Sequence, residues 1–370
     1  MTIYDELGVR TVINAATTLT VVGGSLMADE VLDAMRSAAG AYVDMHELQA
    51  AAGQRIATLT GNEAAYVTSG CAAAMTLGTL AAITGGDPDA ILRMPRGDGL
   101  PTEVVVHAAH RIPEDRGIEL AGGRIVEIGT PDGTTASALE AALTDRTALV
   151  VWVAGSHVSQ GVPDLASTVR IAHAHGLPVL VDAAAQLPPP SNLSHFTRDL
   201  GADAVAFSGG KGLRGPQASG VLLGTTRFIE AVRANGSPFA RLARPLKVGK
   251  EEIAGLVRAV ELYLAADHEA EAREWNEMVA DWVRELGGVR GLRAEALPTN
   301  EAGQPVPRVR ITVDSSRAGA SGEELRRRLW SGQPRILVLP DGADAFFLTP
   351  DTLSRSEAAA VVSRLRAVVW

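Results

Sequence analysis

Between residues 103 and 224 the chain repeats one pattern: a short apolar run, a loop or helical stretch, then another apolar run. The runs fall at 103–107, 124–128, 148–153, 178–182, 204–208 and 220–224, and most are rich in valine, isoleucine and leucine. These runs read as strands. Residues 29–60, 71–84 and 164–175 carry helical patterns. Strands alternating with helices specify βαβ units and a mostly parallel sheet, an α/β fold. In such a sheet the site lies beyond the carboxyl ends of the strands, where Asp182 and Ser208 stand. A long helix is expected over 250–286. Beyond it, strands at 308–313, 335–339 and 345–348 and helices at 322–329 and 354–368 describe a small α+β domain. The expected division is an N-terminal segment over 1–20, a large domain over 21–249, and a linking helix with the small C-terminal domain over 250–370.

The 370 residues suffice for one large core and a smaller one. No apolar run reaches the roughly 18–20 residues of a membrane span, and the first residues lack the pattern of a secretory signal. One cysteine, Cys71, excludes an intrachain disulfide and fits a reducing cytoplasm. The net charge of −9 argues against a nucleic-acid partner, and Arg326-Arg327-Arg328 follows two glutamates as a solvated helix face would. The basic residues are unevenly divided. Only three are lysines (Lys211, Lys247 and Lys250), and the other 31 are arginines. A lysine amine can lose its proton and condense with a carbonyl, which arginine cannot do.

Four motifs concentrate the chemistry. In the first, Tyr66-Val67-Thr68-Ser69-Gly70-Cys71-Ala72, an apolar run ends in small residues that open a helix, whose free N–H groups suit a phosphate. The second, Pro178-Val179-Leu180-Val181-Asp182, ends a buried strand in a carboxylate that needs a partner there or serves as a helix N-cap. The third, Ser208-Gly209-Gly210-Lys211-Gly212, sets a lysine among three glycines, which allow tight turns and leave room for a flat ring. It is not a nucleotide P-loop, since Gly212 follows the lysine where Ser or Thr is required. In the fourth, 104–111, a strand runs into His107 and His110. Either could lie against a ring, with His110 preferred, and a zinc site lacks further ligands at metal spacing. A nucleophilic lysine, a buried carboxylate, a phosphate cradle and a ring-facing imidazole are the parts of a pyridoxal 5'-phosphate (PLP) site.

The chain resembles the fold type I PLP enzymes related to bacterial selenocysteine synthase (seryl-tRNA selenium transferase), above all their tRNA-independent branch of D-glucosaminate-6-phosphate ammonia-lyases. The likeness runs through Val12-Ile13-Asn14-Ala15, Gly23-Gly24-Ser25, 43–48, 59–65 and 181–186. It is sharpest at 207–217 around Lys211 and at 244–252, Arg-Pro-Leu-Lys-Val-Gly-Lys-Glu-Glu. The resemblance implies the aspartate-aminotransferase fold. It implies Lys211 as the cofactor lysine, Asp182 as partner of the pyridine nitrogen, and Ser69, Gly70, Cys71 and Ser208 around the phosphate. It places His110 over the ring and Gln186 near the phenolic oxygen, although Gln186 stands one residue further from Asp182 than in cysteine desulfurases. The catalytic pattern starts within the first fifteen residues, so a separate tRNA-binding domain ahead of it is not expected.

The expected reaction is loss of the Cα proton to the Lys211 amine and of a β-hydroxyl, giving a 2-keto acid and ammonia. Arg244, then Arg214, are candidates to grip the substrate carboxylate. Asn14, Thr20 and Lys250 are candidates for the substrate pocket, and Lys247 and Lys250 could equally hold a phosphate bound in a partner subunit. In the C-terminal domain only Arg308 and Arg335 offer themselves for specificity. Transamination, racemisation and aldol cleavage are alternative reactions. A non-catalytic PLP-binding or assembly protein is the alternative of another class. A homodimer or larger homo-oligomer is expected, acting on a small amino-acid-like molecule, with no nucleic acid or membrane as partner.

Overall fold

A computed structural model describes residues 2–155 and 160–369. The chain divides into two compact units, residues 26–266 and residues 1–25 with 267–370.

The first unit is built on a seven-stranded sheet. Its strands in chain order are β1 (Ala64–Thr68), β2 (Glu103–His107), β3 (Arg124–Ile128), β4 (Thr147–Val153), β5 (Val179–Asp182), β6 (Ala204–Ser208) and β7 (Gly220–Gly224). Their spatial order is β1-β7-β6-β5-β4-β2-β3. β3, β2, β4, β5 and β6 pair in parallel, while β7 runs antiparallel between β6 and β1. The sheet is mostly parallel, as the apolar runs require, because both faces are covered. On one face the helix Cys71–Thr84 packs Ala74, Met75, Leu77 and Leu80 against Val104, Val106, Leu149 and Leu180. The approach is close: a Cβ on Gly78 would stand 2.6 Å from Leu180 Cδ2. On the other face Ile56, Leu165, Val169, Ile253, Leu256 and Val260, from three helices, meet Val67, Val105, Val150, Val181 and Val205.

Two expected helices are each divided. The 29–60 pattern forms Asp29–Ala39 and Met45–Thr60, and Asp44 caps the second by accepting from the His46 and Glu47 N–H groups at 2.7 and 3.1 Å. The 250–286 pattern forms Lys250–Ala265 and His268–Leu286, with Asp267 accepting from the Ala270 N–H at 2.9 Å. The boundary between units falls at this break rather than at 249/250. Lys250–Ala265 buries Ile253, Leu256 and Val260 in the large sheet's core, whereas Trp282 and Leu286 of His268–Leu286 belong to the other core.

The second unit has a four-stranded sheet in the order Leu339–Pro340, Ala345–Leu348, Arg308–Val313, Leu292–Leu297, all antiparallel. Its core gathers Val309, Ile311, Phe346 and Leu348 with Trp282, Leu325, Leu329, Val361 and Leu365 from three helices. The expected 335–339 strand is shared between two sheets, since Arg335–Leu337 pairs in parallel with Val12–Asn14. Among the described residues no helix is long and apolar enough to cross a membrane.

Candidate active site

The carboxyl ends of β2, β5 and β6 and the start of the helix Cys71–Thr84 bring the four sequence motifs into one region of the large unit. Asp182, the last residue of β5, is 7% exposed. Its Oδ1 accepts from the Ala184 N–H at 3.0 Å and from the Cys71 thiol at 3.5 Å. Among the described residues no arginine or lysine pairs with it, and burial pushes its pKa up, opposed by the Ala184 N–H, the Lys211 charge and the Cys71 thiol. A carboxyl in that state is completed by a cation brought to it.

Lys211 follows β6 in a turn whose backbone is tied at three points. The Lys211 carbonyl accepts from the Arg214 N–H at 2.9 Å, Gly215 N–H donates to Gly209 at 2.8 Å, and Gly209 N–H donates to Ser219 at 2.9 Å. The glycines beside the lysine are there for space. A Cβ on Gly209, Gly210 or Gly212 would stand 2.0 Å from Ser219 Oγ, 2.6 Å from Gln217 Cα and 2.5 Å from the Leu187 oxygen respectively. Arg214 closes the turn with φ of 52°, unusual for a residue with a side chain, and is exposed. The Lys211 charge acts on both Asp182 and Cys71, which places its amine within their electrostatic reach.

The start of the helix Cys71–Thr84 is the candidate anion cradle. Gly70 adopts φ of 125°, and its carbonyl accepts the first intrahelical bond, from Ala74, at 3.0 Å. The N–H groups ahead of Ala74 have no carbonyl within the helix to serve. Gly220 on β7 permits this approach, since a Cβ there would stand 2.6 Å from Gly70 C and 2.9 Å from Cys71 N. The Ser69 hydroxyl donates to the Leu246 carbonyl at 2.9 Å. Ser208, half-buried, joins β6 to the lysine turn. The Cys71 side chain is turned towards Asp182, so at a phosphate it would offer its backbone N–H, not its sulfur. Burial and the neighbouring Asp182 hold the thiol protonated, well above the usual thiol range.

His110 and His107 are wholly buried, their rings edge to face with centroids 5.0 Å apart. His110 Nδ1 accepts from the Val153 N–H at 3.2 Å, which leaves the proton on Nε2, and among the described residues that atom has no hydrogen-bond partner. Trp152 lies edge-on at 5.2 Å. Burial lowers the His110 pKa to about 3, with a smaller contribution from His107, and that of His107 to about 4. Among the described residues no three His, Cys, Asp or Glu side chains group as metal ligands. Gln186 donates to the Ala154 carbonyl at 3.1 Å.

The remaining candidates are dispersed. Arg244 is exposed in a short 3-10 turn. The Lys250 ammonium donates to the Ala38 carbonyl at 2.6 Å and pairs with Glu251 at 2.6 Å, which fastens the N-terminus of its helix to Asp29–Ala39. Asn14 and Thr20 belong to the other unit. Asn14 spends both ends of its amide on its own turn, with Thr17 and Ala16, and Thr20 is exposed. Sequence reasoning passed over Glu114, whose charge raises the pKa of both Asp182 and Cys71, and Gly220, which holds the cradle open. Neither residue lies in a motif of its own.

The residues fit PLP on three observations made among the described residues: a buried carboxylate paired with no arginine or lysine, a helix start with unserved N–H groups, and a buried imidazole whose Nε2 has no partner. The sequence pattern of the L-seryl-tRNA selenium transferase family (SelA) matches residues 12–323. The chain belongs to this family. It is 33% identical over 375 residues to the D-glucosaminate-6-phosphate ammonia lyase of Salmonella typhimurium, covering 99% of this chain and 97% of that one. It is 37% identical over 343 residues to a 5'-C-glycyluridine monooxygenase-decarboxylase of a Streptomyces species, covering 90% and 83%. A solved D-glucosaminate-6-phosphate ammonia-lyase structure superposes with a TM-score of 0.86 at 32% identity, covering 100% of this chain and 98% of that one. This is a fold type I PLP-dependent enzyme, and its cofactor is pyridoxal 5'-phosphate.

Proposed function

We propose that the chain is a lyase that takes the Cα proton and the β-hydroxyl from a small amino-sugar acid, releasing a 2-keto acid and ammonia. D-glucosaminate 6-phosphate, named in the ammonia-lyase relative, is the first compound to test. The observation that carries the reading is Asp182: a buried carboxylate that pairs with no arginine or lysine among the described residues, at the end of the strand next to the one that delivers Lys211. PLP bound there supplies an electron sink for the carbon losing its proton. Asp182 holds the proton on the pyridine nitrogen that makes the sink effective. Lys211 Nζ accepts the Cα proton, and the β-hydroxyl leaves with a proton as water. The released enamine tautomerises to an imine, takes up one water and loses ammonia, so the net change is an isomeric loss of ammonia alone. Neutral His110, with Nδ1 occupied by the Val153 N–H, offers Nε2–H as a donor but carries no charge into the site. Ser69, Gly70, Cys71 and Ser208 surround the phosphate, and Gln186, Arg214 and Arg244 remain candidates at the cofactor and substrate.

We further propose that the enzyme works in the cytoplasm as a homodimer or larger homo-oligomer, with Lys247 available to a neighbouring subunit. The acidic balance of −9 supports a small-molecule substrate over a tRNA. The test is incubation of the holoenzyme with D-glucosaminate 6-phosphate, with keto acid, ammonia, oxygen uptake and carbon dioxide measured together. Equimolar keto acid and ammonia without oxygen uptake is the expected result. Oxygen consumption with carbon dioxide release would assign the chain the chemistry named in its Streptomyces relative. An amino-group acceptor requirement would make it a transaminase, and silence towards a panel of amino-sugar acids would overturn the lyase reading.

A further inference from the structure

Asp182 shares a small cavity with a second carboxylate. The cavity has a volume of about 10 Å³ and apolar walls that include Met75, Val106, Ile118 and Val151, and its polar lining is Asp182, His110, Glu114 and Asp115. A space of that size holds about one water molecule, so charges along its wall are poorly screened from one another. Glu114 comes to it from the 3-10 turn Pro113–Asp115, which leads into the helix Arg116–Leu120. Gly117 lets this segment press against the helix Cys71–Thr84. A Cβ on Gly117 would stand 2.9 Å from Thr76 Oγ1 and 3.3 Å from the Ala72 carbonyl oxygen.

The charges around the cavity do not balance. Asp115 is paired with Arg111, which also holds Glu127. Glu114 is exposed and enters no ion pair among the described residues. His110 is neutral, since burial lowers its pKa to about 3, and burial and Asp182 keep the Cys71 thiol protonated. Burial raises the Asp182 pKa most, and the Glu114 charge adds to it against the Ala184 N–H, the Lys211 charge and the Cys71 thiol.

We infer that Glu114 is a positioning residue that acts through Asp182: it brings a second negative charge to their shared cavity and so keeps a proton on the pyridine nitrogen that Asp182 holds. A carboxylate beside an anion–cation pair favours the protonated cation. Glu114 stands in water on its outer side, which sets its effect at the low end for a neighbouring charge, about one pH unit. The inference rests on the assignment of Asp182 to the pyridine nitrogen and not on the reaction catalysed.

The test is the ¹⁵N resonance of holoenzyme carrying PLP labelled at the ring nitrogen, followed over about pH 6–10, between the carboxylate and lysine ranges. Glu114→Gln should release the nitrogen's proton about one pH unit below the parent, and Glu114→Asp, which keeps the charge, should fall between them. A parent that stays protonated throughout while Glu114→Gln releases within the range is the same result. Matching behaviour in the two, whether both release at one pH or neither releases, would overturn the inference. Asp182→Asn separates the two claims. If it leaves the nitrogen resonance unchanged, the assignment of Asp182 fails and the role of Glu114 with it; if it moves the resonance and Glu114→Gln does not, only the role of Glu114 fails. A second readout needs no cofactor. In the cofactor-free full chain at neutral pH, Glu114→Gln should raise the melting temperature, and it should not do so in the Asp182→Asn background, where no charge remains to repel. No gain in the parent, or an equal gain in both backgrounds, contradicts the coupling. Neither measurement involves turnover, so a silent lyase assay leaves both untouched.

Discussion

Two buried carboxylates stand at opposite ends of the large sheet. Glu103 opens β2 and is 3% exposed. Asp182 closes β5 and is 7% exposed. Glu103 is saturated: Arg146 and Arg124 both donate to Oε1, and the Thr144 hydroxyl donates to Oε2 at 3.3 Å. Its pKa is lowered, chiefly by Arg146 and then Arg124 against the cost of burial. Asp182 has one backbone N–H and a thiol, and its pKa is raised by burial. The fold met the cost of burying a charge at the amino end of the sheet and left it unmet at the carboxyl end. The unmet one is the proposed partner of the cofactor. A sequence shows an acidic residue at a strand terminus in both cases, and only the partners tell structure from chemistry.

The largest effect that could break this contrast is kinetic. Asp182→Asn should lower lyase turnover by at least ~10²-fold, on the scale of a lost catalytic proton interaction, while the protein stays folded. Glu103→Gln should leave turnover unchanged and cost about 1–2 kcal/mol of stability, read as a lower denaturant midpoint. The arginines it frees are more than half exposed and regain water, which keeps the cost modest. Equal kinetic losses in the two variants would remove the distinction.

The pH dependence of stability should separate them in sign. Glu103, with a lowered folded pKa, contributes stability above its unfolded value near 4.5 that is lost as pH falls through the folded value. Asp182, with a raised folded pKa, contributes the opposite: the cofactor-free protein loses stability as pH climbs from the unfolded value of 3.8 through the raised one. Cofactor-free Asp182→Asn should therefore melt higher than the parent at neutral pH and lose that advantage below about pH 4. A lower melting temperature at neutral pH would contradict the reading of Asp182 as an unmet charge. The two histidines should behave as neutral groups. Depressed to about 3 and about 4, they contribute stability above their unfolded value near 6.5 that falls away as pH drops through the folded values. His110→Phe should flatten that acid loss in melting curves between about pH 6.5 and 3, the window set by the unfolded and folded values of His110.

Lys250→Met gives the smallest expected effect and sharpens the contrast between structural and chemical lysines. Its ammonium is committed to Ala38 and Glu251, so the variant should lose about 1 kcal/mol of stability with kcat unchanged. A loss of turnover at unchanged stability would return Lys250 to the substrate pocket.

The strands were legible because a parallel sheet buries both faces and leaves continuous apolar runs. β2, β3, β6 and β7 have the bounds that their residues suggest. The breaks at 40–44 and at Ala266 were passed over, although Gly40 follows the helix Asp29–Ala39 and Asp44 and Asp267 are N-caps that open the next helix in each case. The strand Val12–Asn14 was not legible at all, because its partner, Arg335–Leu337, lies over 300 residues away. Lys211 and Asp182 are candidates that their sequence neighbours single out. The direction of the Cys71 thiol, the tie of Lys250 to Ala38 and the Gln186 bond to Ala154 are set by tertiary contacts that no local pattern encodes.

The central claim is that Lys211 holds the cofactor opposite Asp182, and the visible spectrum tests it most directly. Purified protein supplied with PLP should show the absorption band of a lysine-bound cofactor, and Lys211→Ala should lack it while remaining folded. A band that survives in Lys211→Ala, or a featureless spectrum in both proteins, would contradict the account.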